Sequence, residues 1–255
     1  MNRKELAVLS LLTIAIAFMD ISGLPGALIS YTVADVAPPV LPLIFNFVLI
    51  GLLAFAVLKA FPIPLRLGLS RKGLLSGLKK YALPGIFAGL CSFAAFYVGL
   101  RPFDYQPTVW KILLEGIAYY IGVGLIEEFY VRGLFLNIIE ALCHQSPQKT
   151  DLAIIISSVV FGLGHVPGVI GMGVGVAAFK VVSTIGMGLY FGTIYKSTNN
   201  LWVPAVMHIF IDICALPYCF TTKSIYPSIS IVILLITYLL LGIYSFLLMK
   251  SAKRR

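Results

Sequence analysis

Between Pro227 and Met249 the chain carries no charged side chain, and apolar runs of that kind recur along its length. A helix of about 20 apolar residues crosses the ~30 Å hydrocarbon core of a bilayer while satisfying its own backbone hydrogen bonds. Composition agrees, with 60% of the 255 residues apolar and only 11% charged, against about 25% charged in a soluble domain. The chain therefore reads as an all-α polytopic membrane protein. Eight spans are expected, near 5–24, 40–60, 83–100, 111–142, 152–170, 174–195, 201–219 and 227–249. The runs are too continuous for barrel strands, which alternate over about ten residues. No linker or internal repeat divides 1–255, so a single transmembrane domain is expected.

The charge balance of +9 raises the question of nucleic acid, but its distribution speaks for topology. With the N-terminus inside, fifteen Lys and Arg, Arg132 among them, fall on the cytoplasmic side against three outside (Arg101, Lys111 and Lys223), with Lys180 left within the sixth span. That is a positive-inside bias, so the protein is expected in the cell membrane with both termini cytoplasmic and no nucleic-acid partner. The first span follows Arg3 and Lys4 and shows no clear small-x-small cleavage site, so it reads as a retained span. Phe61 to Tyr81 alternates basic residues with leucines and suggests an interfacial amphipathic segment. The four cysteines lack C-x-x-C spacing and read as buried free thiols.

Against this apolar background the ionisable groups stand out. Each costs roughly 2.5–3.5 kcal/mol at the centre of a membrane helix on insertion scales. Glu127, Glu128 and Arg132 sit in the fourth apolar stretch, His165 in the fifth, and His208 and Asp212 in the seventh. At about 100° per residue, Glu128 and Arg132 are about 40° apart and can pair, while Glu127 projects about 100° away from Glu128. Glu128 is thus expected to be held by Arg132, leaving Glu127 for proton chemistry. Depth permits convergence, since Glu128 and His165 each lie roughly 20 Å along their helices from the loop near 143–151. A carboxylate and a neutral imidazole can activate water toward a carbonyl, and a second histidine can stabilise the oxyanion. His144 reads as a solvated loop residue and Asp20 as an interfacial one. Lys180 has no role assigned by its position.

Here the chain resembles a known family. Glu127-Glu128-x-x-x-Arg132-Gly133, Phe161-x-x-x-His165 and His208-x-x-x-Asp212 match, in order, the three motifs of the CAAX protease and bacteriocin-processing (Abi) family. That family includes the type II CAAX prenyl endopeptidases. The flanks Ser157-Ser158-Val159-Val160 and Leu201-Trp202-Val203-Pro204-Ala205-Val206-Met207 look like those of family members, and the resemblance spans about 111–215. It implies a glutamate-dependent intramembrane endopeptidase with a polar cavity open to the cytoplasm. Glu127 and His165 would activate water, and His208 with residue 212 would hold the oxyanion.

Prenyl endopeptidases usually carry Asn where this chain has Asp212, and an ionised Asp cannot donate a hydrogen bond. Asp212 is then protonated, or orients His208, or serves a metal. No cofactor is expected, with zinc as the alternative because carboxylate and imidazole are ordinary ligands. There is no H-E-x-x-H or G-x-S-x-G motif. The expected partners are a peptide or lipidated protein substrate and membrane lipids. Two other readings are a non-proteolytic immunity or scaffold member of the family and a proton-coupled transporter.

Overall fold

The computed structural model describes residues 2–22, 48, 51–52, 67–102, 108–109, 112–221 and 225–252. Among them there are helices and no strands. We number the helices α1 (Arg3–Ser22), α2 (Leu74–Leu100), α3 (the unbroken helical rod from Ile112 to Leu142), α4 (Lys149–Gly164), α5 (Val174–Thr198), α6 (Trp202–Cys214), the single turn α7 (Leu216–Cys219) and α8 (Ser228–Ala252). Five helical segments among the described residues are long and apolar enough to cross a membrane: Arg3–Ser22, Leu74–Leu100, Lys149–Val169, Val174–Thr198 and Ser228–Ser251. The span expected near 40–60 lies almost wholly outside the described residues. The one expected near 201–219 is split, because α6 ends at Cys214 and α7 follows as a separate turn.

The segment expected as interfacial over Phe61–Tyr81 lies outside the described residues at 61–66, and from Leu74 it forms the opening of α2, which runs through Pro84 without stopping. Proline offers no N–H to the ladder, so the Lys80 carbonyl one turn earlier loses its helical donor; the adjacent Tyr81 carbonyl accepts a tertiary hydrogen bond from the Tyr190 hydroxyl at 2.7 Å. Arg132, counted among the cytoplasmic cations, is fully buried within α3.

α5 lies at the centre, packed against α4 and α8, while α2 packs against α6 and α8. Tyr190, Phe191 and Ile194 of α5 are fully buried in the main core with Val203 and Met207 of α6. A second core joins Leu9, Leu12 and Ile16 of α1 to Ile126, Leu134 and Ile138 of α3. The outward faces are apolar as well: Leu11 and Phe18 of α1, Leu83 and Phe87 of α2, and Leu240 and Leu247 of α8 are exposed. Apolar surface on both faces is what a bilayer accepts and water does not. The free cysteines Cys91, Cys143 and Cys214 are half-buried rather than fully enclosed.

Two local features position the ionisable groups. α3 is not a uniform α-helix. Glu128–Phe135 is wound as a π-helix between the α-helical stretches Ala118–Glu127 and Leu136–Leu142. Wider turns of this kind often mark functional sites. They disturb the backbone ladder, and the Asn137 side-chain amide donates to the carbonyls of Arg132 (3.1 Å) and Gly133 (2.7 Å). The other feature is Gly124, where α3 meets α6. A Cβ there would stand 2.6 Å from Ile209 Cγ1 and 3.0 Å from its backbone nitrogen. Only glycine lets α6 come close enough to bring His208 to the two glutamates.

Candidate active site

Glu128 and Arg132 form the expected pair, with Nη1 3.0 Å from Oε1 and both side chains excluded from solvent. The pair is held on more sides than the helix alone provides. The Arg132 guanidinium lies 4.3 Å from the Phe161 ring centroid and 5.3 Å from that of Phe191. Contacts of this type contribute roughly 0.5–2 kcal/mol each when desolvated. Arg132 also donates to the Gly188 carbonyl at 3.4 Å. Glu128 does a second job, because Oε1 accepts from His208 Nδ1 at 2.9 Å. His208 is in turn stacked on Phe191, with ring centroids 4.6 Å apart. Phe191 carried no sequence signal, and Phe161 stood only as the first letter of a histidine motif.

Glu127 projects differently, as the helical phase required. Its Oε1 is 4.0 Å from His165 Nε2 and its Oε2 is 3.6 Å from His208 Nε2. Neither is a direct hydrogen bond, and Oε2 is buried without a partner. A separation near 4 Å between two polar atoms is one that a single water can bridge. His165 follows the last residue of α4, and its Nδ1 lies 2.8 Å from the Phe161 carbonyl. A carbonyl only accepts, so Nδ1 carries the proton. On a neutral ring Nε2 is then an open acceptor facing Glu127. Asp212 Oδ2 stands 3.4 Å from His208 Nε2, the nitrogen that also faces Glu127. All six residues singled out from the sequence thus converge at the junction of α3, α4 and α6. Among the described residues, no group of three or more His, Cys, Asp or Glu side chains stands in metal-holding geometry.

Two cavities meet at this point, and Glu127, His165 and Lys180 line both. The larger, 710 Å³, is a mostly apolar groove between α1, α3 and α4, reaching from Ile21 to Leu142. The smaller, 300 Å³, is walled by α2, α3, α5, α6 and α8 and is lined by Ser92, Ser183, Thr184, His208, Asp212 and Tyr238 among others. Asp20, near the end of α1, lines the larger cavity and accepts a hydrogen bond from Tyr130 at 2.9 Å. Nothing local in the sequence could show this, because the two residues belong to different helices. His144 is exposed, as expected of a loop residue.

Residues 109–214 match the model of the Rce1-like type II CAAX prenyl endopeptidases. The matched stretch contains all three motifs and runs from the start of α3 to the end of α6. No curated protein matches the chain. The chain is thus a helical membrane protein carrying an Rce1-like segment, and the converging side chains all lie inside that segment.

Proposed function

We propose that the protein is an intramembrane endopeptidase in which Glu127 and His165 activate a water molecule to cleave a peptide bond of a lipidated or membrane-inserted substrate. The observation that carries this reading is the 4.0 Å gap between Glu127 Oε1 and His165 Nε2 at the meeting point of the two cavities. Glu127 takes a proton as the water oxygen adds to the scissile carbonyl carbon, and the carbonyl π electrons move to its oxygen. His165, fixed by the Phe161 carbonyl, orients that water through its open nitrogen. The oxyanion is met by Nε2–H of His208 in its doubly protonated form, an imidazolium whose Nδ1–H is held by the Glu128 carboxylate and whose ring is stacked on Phe191. Preorganised donors of this kind contribute about 2.7–4 kcal/mol each to transition-state stabilisation. As the C–N bond breaks, Glu127 returns the proton to the leaving amine. Asp212 supports the oxyanion as a neutral donor beside His208.

The apolar groove suits a substrate carrying a lipid chain. Its extension to Leu142, beside the loop that the positive-inside bias assigns to the cytoplasm, supports access from that face. A prenylated C-terminal C-a-a-X peptide is the substrate class that the family match favours. Comparative proteomics of membrane fractions tests the function in cells. Cells carrying wild type should show a processed terminus on one or more membrane proteins that is absent in cells carrying Glu127→Ala. Identical termini in the two would count against proteolysis.

A further inference from the structure

Lys180 has no place in the chemistry above, yet it lines both cavities beside Glu127 and His165. It sits within α5, a helix long and apolar enough to span the membrane. Among the described residues no carboxylate lies within ion-pairing distance of its ammonium group, although Asp212 and His165 are within its electrostatic reach. An unpaired cation inside a membrane helix is expected to have a ligand or a pathway to serve. Ser183 supplies a second, independent sign. It lies one turn further along α5 and lines the smaller cavity. It is 6% exposed, and its buried hydroxyl makes no hydrogen bond. An unsatisfied buried hydroxyl wants a partner. A lysine and a hydroxyl donor one helical turn apart, facing one small space, match the needs of a carboxylate.

We infer that Lys180, with Ser183, binds the C-terminal carboxylate of the substrate in the smaller cavity and so sets where along the chain cleavage occurs. This rests on the endopeptidase reading for the meaning of "substrate", but the anion site itself does not depend on hydrolysis. The 300 Å³ cavity is at the low end for ligand pockets and is walled by five helices. It has room for a few residues at a chain end. A peptide threaded past Glu127 and His165 therefore places its last residues beside Lys180.

The test compares two fluorescent peptides that end in a farnesylated Cys and three further residues, one with a free C-terminal acid and one with an amide. Binding is measured by anisotropy on the purified full chain in detergent, and hydrolysis by mass spectrometry. Wild type and Glu127→Gln should bind the acid about tenfold more tightly than the amide, as one charge-assisted contact warrants. Lys180→Met should erase that preference, Lys180→Arg should keep it, and Ser183→Ala should reduce it. Equal binding of acid and amide by wild type overturns the inference without any variant. So does a preference that survives in Lys180→Met. If the preference is present and depends on Lys180 while neither peptide is cut, the carboxylate site stands and the endopeptidase reading falls. If both peptides are cut with equal kcat/KM and bind alike, the endopeptidase reading stands and the carboxylate site falls.

Discussion

Glu127 Oε1 and His165 Nε2 face each other across 4.0 Å, although 38 positions separate the two residues in the chain and each is delivered by a different helix. Both side chains keep a small exposure, 12% and 22%, where the surrounding Glu128 and His208 have essentially none. The site is thus a dry clamp with one open edge. In the proposed reaction the chemistry runs at the edge and the clamp positions it.

That division predicts opposite behaviour for adjacent glutamates. Glu128→Gln leaves Arg132 uncompensated in a fully buried position and weakens the hold on His208. Breaking such a buried pair costs roughly 3–5 kcal/mol. We expect a low yield of folded protein and a lowered thermal midpoint in detergent for Glu128→Gln, and a near wild-type midpoint for Glu127→Gln. Equal midpoints would show that the clamp carries no structural weight.

Asp212→Asn tests the departure from the prenyl endopeptidase pattern. An amide of the same shape donates at any pH, so turnover should be retained or raised if Asp212 acts as a neutral donor beside His208. A large loss of turnover, with no metal in the purified protein, would instead assign Asp212 to orienting the imidazole. Chelators should leave wild-type turnover unchanged. Loss that is restored by added zinc would bring in a metal.

Gly124 is predicted to be intolerant of any side chain. Even Gly124→Ala adds a carbon 2.6 Å from Ile209 Cγ1 and 3.0 Å from a backbone nitrogen, which cannot swing aside. Overpacking of this kind costs typically about 1–3 kcal/mol. Because α6 carries His208, activity should fall further than the loss of stability explains. A variant with wild-type activity would mean that α6 does not depend on this close approach.

The orientation of the molecule is open to direct measurement. A cysteine at the exposed position 72, at the start of α2, should be labelled by membrane-impermeant reagents only from the cytoplasmic side. Labelling only from outside would invert the topology and the proposed access to the groove.

Much of this site was legible before any coordinates. The Glu128–Arg132 pair follows from i,i+4 spacing, and the divergence of Glu127 from Glu128 follows from helical phase. The motifs placed His165 and His208 near the glutamates. What could not be read depends on tertiary packing. The π-helical winding at Glu128–Phe135 has no periodic signature, because its altered turns are stabilised by Asn137 and by neighbouring helices. Phe191 looks like any core aromatic until α5 is docked beneath His208. Asp20 gains its place only because α1 packs along α3, a contact between segments more than a hundred residues apart. The lower end of α2 is not legible in the apolar pattern, because basic residues near Tyr81 interrupt it while the helix continues through Pro84.

The most direct test of the central claim is turnover of a farnesylated C-a-a-X peptide by purified protein, comparing wild type with Glu127→Gln at matched folded concentration. General-base catalysis contributes about 10²–10⁴-fold. Wild type should release the C-terminal fragment, and Glu127→Gln should be slower by at least the lower of those factors while still binding the peptide. Wild-type turnover in Glu127→Gln would contradict the account, because the water-activating base would then have to be another group.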